Sequence, residues 1–332
     1  MIYTDPTAAA PAFRQAINAV QRILILSHVN PDGDAIGSIL ALTHVLRALG
    51  KEPLPLASGE LPAYARWLPG AADVPVYQPG AALPEFDLLF LVDTAMPTRV
   101  GQVGEEHGAA LAARPLAIVD HHVTNTGVEG VNLIDPRAAS TCQLLYHLFR
   151  AIDAPVDAAT ATCLLLGHMT DTQSFQVSST TPAALRTAAA LLEAGADHRA
   201  VVQHVYYTLP ASSAALIGLG LSAMRHVDGI AWTTVSQAMM AATGAEDEAA
   251  DELVKQMQRI AGIRALALFK ERQDGTTKIS LRSVPPYNVA ALAQTWGGGG
   301  HAQAAGATLA MSPDQAEAEV LPRLRELVAD AP

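Results

Sequence analysis

Three apolar runs, residues 23–26, 88–92 and 116–119, are each four or five residues long and continuous rather than alternating. Continuous runs of that length fit strands buried on both faces, as in a parallel sheet. Between the first two, Ile36, Ile39, Leu40, Thr43, Leu46 and Leu49 recur at helical spacing, and Gly50 comes next as a stop signal. Strands alternating with helices predict an α/β domain built on a parallel sheet. The segment after each run is more specific still. The first run leads into Ser27-His28-Val29-Asn30-Pro31-Asp32-Gly33-Asp34, the second into Asp93-Thr94, the third into Asp120-His121-His122. Ligands of open parallel sheets bind at the carboxyl ends of strands. Three strands therefore deliver Asp and His to one edge. A helix predicted over 158–166 leads into Gly167-His168-Met169-Thr170-Asp171-Thr172, a fourth acidic contribution.

With 332 residues the chain has room for two domains, each with its own core. A helix over 182–194 is stopped by Gly195, and residues 196–225 read as a helical connector. The expected division is a first domain of 1–195, the connector, and a smaller α/β domain of 226–332. In the latter, 230–236, 265–270 and 278–283 read as strands, and 251–260 and 289–296 as helices. Gly297-Gly298-Gly299-Gly300-His301 comes after the short helix, and a terminal helix over 313–328 is expected with Ser312 as its cap and Pro313 at its first position.

Half the residues are hydrophobic and 16% are charged, as in a folded chain. The net charge is -11 and the lysines and arginines are scattered, so the basic stripe that grips long nucleic acid is absent from the sequence. Cys142 and Cys163 lie in apolar stretches and read as small buried hydrophobes, with no disulfide framework or zinc spacing. The N-terminus lacks the basic region and apolar core of a signal peptide. Residues 205–224 carry no charge and are long enough to span a bilayer, but Pro210, Gly218 and Gly220 break them and they are only mildly apolar. A buried or connecting helix is expected there, with no membrane partner and a cytoplasmic location. No G-x-G-x-x-G comes after the first strand, which argues against a dinucleotide-dependent oxidoreductase.

His28, Asp32, Asp34, Asp93, His121 and Asp171 form the candidate metal set. Taken singly, Asp34 or Asp93 reads as a helix N-cap and Asp32-Gly33 as a turn. Taken together, carboxylate and imidazole suit Mn²⁺, with Mg²⁺, Zn²⁺ or Fe²⁺ as alternatives. One carboxylate bridging two cations holds them roughly 3.5–4 Å apart, the spacing of a two-metal hydrolytic site. Four aspartates at one edge repel each other; two divalent ions cancel that charge and admit an anionic phosphate.

In this order the motifs resemble the DHH phosphoesterase superfamily. His28 through Ser38 resembles its first motif, Asp93-Thr94 its second, Asp120-His121-His122 with Asn125 its third, and Thr170-Asp171-Thr172 with Phe175 its fourth. Ser280-Leu281-Arg282-Ser283 and the glycine run, with Ala304-Ala305-Gly306, resemble the DHHA1 domain. The resemblance implies that His28 and Asp32 bind one metal, that Asp34, His121 and Asp171 bind the other, and that Asp93 bridges both. It places His122 near the substrate phosphate and has Asp120 orient a histidine. A water activated between two Mn²⁺ ions would attack phosphorus in line.

The glycine run can approach an anion closely through its N–H groups, and Arg282 offers a fork for a second phosphate. Arg282, Ser283, Gly299, Gly300 and His301 are thus the candidate substrate residues, with the active site expected in the cleft between the domains. Three positions depart from the family pattern: Gln173 for Gly, His168 for an aliphatic residue, and Gln143 for Glu. His44, His107, His147, His198, His204 and His226 lie outside any motif and read as surface or packing residues.

The resemblance is to the nanoRNase and pAp phosphatase type. It implies hydrolysis of small nucleotides or short oligonucleotides (pAp, nanoRNA, linear dinucleotides such as pApA and pGpG) by a monomer or homodimer. Two alternatives are a cyclic-di-AMP phosphodiesterase and a non-catalytic nucleotide-binding regulator. Lack of a membrane segment argues against the membrane-anchored cyclic-di-AMP enzymes, the modest length against the larger RecJ exonucleases, and the DHHA1-like tail against the pyrophosphatase branch.

Overall fold

The apolar runs become the central strands of a doubly wound sheet in the computed structural model, which describes residues 1–94 and 99–329 and divides into two units, Met1–Thr208 and Leu209–Pro332. In the first unit the order is β1 (Ile2–Tyr3), α1 (Pro6–Asn18), β2 (Arg22–Leu26), α2 (Gly33–Ala48), β3 (Glu52–Pro55), β4 (Leu88–Val92), α3 (Gln102–Ala112), β5 (Leu116–Asp120), β6 (Val131–Ile134), α4 (Thr141–Ala151), α5 (Ala158–Asp171), α6 (Pro182–Glu193) and α7 (His198–Tyr206). All six strands run parallel, in the order β1-β6-β5-β4-β2-β3. The short strands β1, β3 and β6 are additions to the sequence expectation.

Alternation explains why the runs are continuous. Ile23 and Ile25 of β2 join Phe13, Ile39, Phe90 and Leu165 in the core on one face. Leu24 and Leu26 join Leu89, Leu91, Val103 and Ile118 on the other. Each of the three runs is therefore apolar at every position, because both faces are covered. Phe13 and Phe90 are fully buried with ring centroids 5.8 Å apart, and truncating either to Ala is expected to cost about 3–5 kcal/mol.

The winding reverses beside β2. From β2 the chain goes first to β3 on one side, then to β4 on the other. The carboxyl ends of β2 and β4 thus flank a topological switch point, where a crevice opens. The helices α2 and α5 pack tightly against each other under that edge. A Cβ on Gly37 would lie 2.5 Å from the Cys163 carbonyl oxygen, so only glycine permits the crossing.

Helix α5 corrects one expectation. It does not stop near residue 166 but continues to Asp171, which occupies its last position. Asp157 caps its start by accepting from the Thr160 N–H at 2.8 Å. The expected connector over 196–225 also resolves differently. Its first half is α7, which belongs to the first unit, where Trp67 stacks on His204 with centroids 4.4 Å apart. Its second half opens the second unit. Pro210 stands just before that new helix and removes a backbone donor at the break. Among the described residues no helix is long and apolar enough to cross a membrane.

The second unit runs α8 (Ala211–Ser222), β7 (Arg225–Val227), β8 (Ile230–Val235), α9 (Gln237–Thr243), α10 (Ala249–Gln258), β9 (Ala265–Glu271), β10 (Thr277–Ser283), α11 (Val289–Gln294), β11 (Gly299–His301), β12 (Ala304–Leu309) and α12 (Pro313–Ala329). Its sheet, ordered β11-β12-β10-β9-β8-β7, is antiparallel except for the β8–β9 pair. Ser312 begins α12 as expected. Its hydroxyl accepts from the Gln315 N–H at 3.4 Å, and Gln315 Oε1 accepts from the Ser312 N–H at 3.1 Å, a reciprocal cap. The glycine run is not wholly a loop. Gly299–His301 forms the edge strand β11, with Gly300 at a φ of +143° that a side chain rarely adopts.

Candidate active site

The carboxyl edge of the first sheet gathers the six expected metal ligands. His28 comes after β2, Asp93 after β4, and Asp120-His121-His122 end β5. Asp32 and Asp34 come from the start of α2, and Asp171 from the end of α5. Three overlapping groups result, each with its ligand atoms within 4.8 Å of one another: His28, Asp32 and Asp93; Asp34, His121 and Asp171; Asp93, His121 and His122.

Asp93 is common to two sides of this cluster. Its Oδ2 lies 3.4 Å from His28 Nε2, while its Oδ1 lies 3.7 Å from His121 Nε2. His121 Nε2 is also 3.3 Å from Asp171 Oδ2 and 3.9 Å from Asp34 Oδ2. The backbone of Asp93 sits at a φ of +55°, the left-handed region a non-glycine residue seldom takes, and Asp is among the residues that tolerate it.

The two candidate ligand histidines present the same ring nitrogen. His28 Nδ1 donates to its neighbour's carbonyl, Val29 O, at 2.9 Å, and His121 Nδ1 donates to Ala138 O at 3.3 Å. A carbonyl can only accept, so Nδ1 carries the proton and Nε2 faces the carboxylates. His122 differs. Its Nδ1 donates to Asp120 Oδ1 at 2.7 Å, and Asp120 is fully buried, with its other oxygen accepting from Asn125 Nδ2 at 2.7 Å. Among the described residues Nε2 of His122 has no hydrogen-bond partner.

The readings of single aspartates as caps are corrected in detail. Asp32 is the N-cap of α2, its Oδ1 accepting from the N–H groups of Asp34 and Ala35 at 3.0 and 3.1 Å. Asp34 caps nothing on its own helix. It turns instead to the start of α4, accepting from the N–H groups of Thr141 at 2.6 Å and Cys142 at 2.9 Å.

Charge crowding marks this edge. Burial, then the charges of Asp93 and Asp171, hold the Asp34 carboxyl well above the usual carboxylate range. Burial likewise pushes Asp171 up to about 6, with Asp93 and Asp32 adding to the rise and His121 opposing it. At Asp93 burial is outweighed by the hydrogen bond from His28 and by the neighbouring imidazoles, which hold it low. At His28 burial is outweighed by Asp93, which leads the groups raising it to about 9. At His122 the hydrogen bond to Asp120 raises the imidazole. Carboxylates that repel in this way, beside imidazoles with Nε2 turned inward, fit hard to borderline divalent cations.

Sequence reasoning passed over several residues here. Thr141 Oγ1 donates to Asp93 Oδ1 at 3.0 Å. The hydroxyls of Ser27 and Thr94, buried beside His28 and Asp93, have no hydrogen-bond partner among the described residues. Two of the three departures have structural roles. Gln143 Oε1 accepts from the Ala139 N–H at 2.8 Å, one residue before the Ser140 cap. His168 is fully buried between Ser140 Oγ at 2.9 Å and the Ala184 carbonyl at 2.9 Å. The third, Gln173, opens a run with Ser174 and Phe175 at φ of 47°, 57° and 65°. His44, His107 and His147 bond to Pro69, Tyr77 and Thr187 respectively, away from the cluster.

In the second unit, Arg282 of β10 and His301 of β11 both pair with Ala304 of β12, so they stand in one cross-strand row on one face. Arg282 Nη1 donates to the Leu281 carbonyl at 2.9 Å. Ser283 Oγ is engaged by the Tyr287 carbonyl at 2.8 Å. Gly299 and Gly300 lie exposed on the edge strand.

Residues 22–168 match the DHH family, N-terminal domain, and residues 234–331 match the DHHA1 domain. The bifunctional oligoribonuclease and PAP phosphatase NrnA of Thermus thermophilus is 33% identical over 332 residues, covering 97% of each chain. The cyclic-di-AMP phosphodiesterase GdpP of Geobacillus thermodenitrificans is 29% identical, over 96% of this chain and 49% of that one. An exopolyphosphatase-related protein from Bacteroides fragilis shares the fold with a TM-score of 0.77 at 24% identity, covering 97% of this chain and 98% of that one. The fold and site define a phosphoester hydrolase of the α/β class. The chain belongs to the DHH phosphoesterase family, in the arrangement where a DHH domain precedes a DHHA1 domain.

Proposed function

We propose that the protein is a Mn²⁺-dependent, two-metal phosphoesterase that hydrolyses short nucleotide substrates: pAp, oligoribonucleotides of a few residues, and linear dinucleotides such as pApA and pGpG. One observation carries the reading. The two oxygens of Asp93 face different donor groups, the arrangement of a carboxylate shared by two cations. In this reading His28 and Asp32 hold one ion, Asp34, His121 and Asp171 hold the other, and Asp93 bridges. Bound ions supply positive charge against the four carboxylates and the phosphate, and lower the pKa of water.

The remaining steps belong to the chain's own side chains. Asp120 holds His122 by Nδ1, so that Nε2 is presented to a phosphoryl oxygen as a donor. The raised imidazole favours the protonated form that such a role needs. Arg282 and His301, on one sheet face, are assigned to a second anionic group of the substrate, with Ser283, Gly299 and Gly300 beside them. The full-length likeness to an oligoribonuclease and PAP phosphatase supports short substrates.

The test is a substrate panel of pAp, pApA, pGpG, cyclic di-AMP and a longer RNA, each with and without Mn²⁺. Turnover of the short linear substrates with metal is expected. Preference for cyclic di-AMP would move the assignment to a cyclic-dinucleotide phosphodiesterase. No turnover of any substrate, with metal retained, would leave a nucleotide-binding regulator.

A further inference from the structure

Thr141, the first residue of α4, is fully buried and holds two of the site's carboxylates at once. Its backbone N–H donates to Asp34 Oδ2 at 2.6 Å and its hydroxyl donates to Asp93 Oδ1 at 3.0 Å. These two carboxylates come from separate elements, the first turn of α2 and the end of β4. Both side chains are carboxylates, so the two repel when both are ionised. A donor shared between them offsets that repulsion and fixes their spacing.

The contact is one-sided. Thr141 reaches the Asp93 oxygen that faces His121, not the one that faces His28. A hydroxyl has one proton, and a carboxylate can only accept, so the proton of Thr141 is committed to Asp93 Oδ1. The oxygen is thereby turned toward the group of Asp34, His121 and Asp171.

The turn that carries Thr141 is itself braced. Ser140 caps α4, its Oγ accepting from the Gln143 N–H at 3.0 Å. His168 Nε2 donates to the Ala184 carbonyl, so its Nδ1 accepts the Ser140 proton. Gln143 reaches back to Ala139. Every residue in this brace is buried. Two positions that depart from the family pattern thus serve the turn that presents Thr141.

We infer that Thr141 is a positioning residue for one of the two cation positions, the one formed by Asp34, His121 and Asp171, acting through the orientation of Asp93. This rests on the two-metal reading above. It makes the two positions unequal: loss of the hydroxyl weakens one and spares the other.

The experiment compares wild type, Thr141→Val and Thr141→Ser by calorimetric titration with Mn²⁺, with melting curves to verify folding. Val keeps the branched shape without the donor; Ser keeps the donor without the methyl. In wild type two Mn²⁺ are expected to bind. In Thr141→Val one of them is expected to bind about 10- to 100-fold more weakly, the range seen when a partner of a metal ligand is lost. The other is expected unchanged, and Thr141→Ser is expected to restore both. In turnover, Thr141→Val should need more Mn²⁺ for half-maximal rate yet recover kcat when saturated, a split that a general packing defect does not produce. Should Thr141→Val fail to fold, Thr141→Ala replaces it with the same expectation. Wild-type affinity for both ions in the Val or Ala variant, equal weakening of both, or a Ser variant as weak as Val would each overturn the inference. Wild type that binds no Mn²⁺ would overturn the two-metal reading, and the inference with it.

Discussion

Nε2 of His28 lies 3.4 Å from Oδ2 of Asp93, although the two residues leave different strands of the sheet. The pairing depends on β2 and β4 being neighbours, with Leu26 registered against Leu91. The other oxygen of Asp93, which accepts from the Thr141 hydroxyl, faces His121. Replacing Asp93 with Ala is therefore expected to abolish turnover and strip the protein of metal. Metal analysis of the purified variant checks this; retention of two ions would refute the bridging role.

His122 is expected to behave differently. With Nδ1 committed to Asp120, it is assigned to substrate rather than to metal. His122→Asn should keep its ions and lose about 10²–10³ in kcat, the usual cost of a donor to developing charge. Asp120→Asn should give a smaller loss of the same kind. Steady-state kinetics beside metal content separates this from a ligand role, in which metal would be lost too.

Metal removal should lower thermal stability. Four carboxylates lie within one cluster, and Asp34 and Asp93 are almost wholly buried. Cations that bind the folded chain stabilise it by mass action, about 2.7 kcal/mol per site at a hundred times the Kd. Chelation and then a melting scan should show a lower Tm, restored by Mn²⁺. An unchanged Tm across that cycle would count against metal binding at this edge.

His168 predicts an acid-side loss of stability. Burial, with help from His147, holds its imidazole below the usual 6.5, against the hydrogen bond to Ala184. Above pH 6.5 the ring is neutral in both states and contributes no pH dependence. Below it the unfolded chain takes up a proton that the folded chain resists, so the unfolded state binds more protons and stability is lost as the pH falls. The limiting slope is about 1.4 kcal/mol per pH unit for one such group. His147, also lowered by burial, adds to the same trend. Denaturant titrations between pH 7.5 and 5 should show a shallower loss in His168→Leu; the same slope in both proteins would remove His168 from the account. The variant should also be less stable at neutral pH, by about 1–3 kcal/mol, because the buried Ser140 hydroxyl loses its acceptor.

Arg282 is expected to act on binding. Arg282→Ala should raise KM about 10- to 150-fold, since a hydrogen bond to a charged group contributes about 1.5–3 kcal/mol, with kcat little changed. The effect should be larger for pAp than for a substrate with a single phosphate. A fall in kcat alone would place Arg282 elsewhere.

Much of this protein is determined by local pattern. Continuous apolar runs specify strands covered on both faces, and residues that end such strands project at one edge, so His28, Asp93 and His121 could be assigned together. The order of motifs was enough for the family. Contacts between elements distant along the chain lay beyond the sequence. Nothing local to Asp34 says that its carboxylate meets the N–H groups of Thr141 and Cys142, or that Thr141 also reaches Asp93. Those bonds exist because the start of α4 packs against α2, with Cys142 beside Gly37, and because β4 lies between β2 and β5. The glycine run shows the same limit: composition alone favours a loop, but pairing with β12 supplies the backbone partners that make Gly299–His301 a strand. Residue type and spacing determine which groups can reach an edge; only packing decides which oxygen of each carboxylate faces which donor.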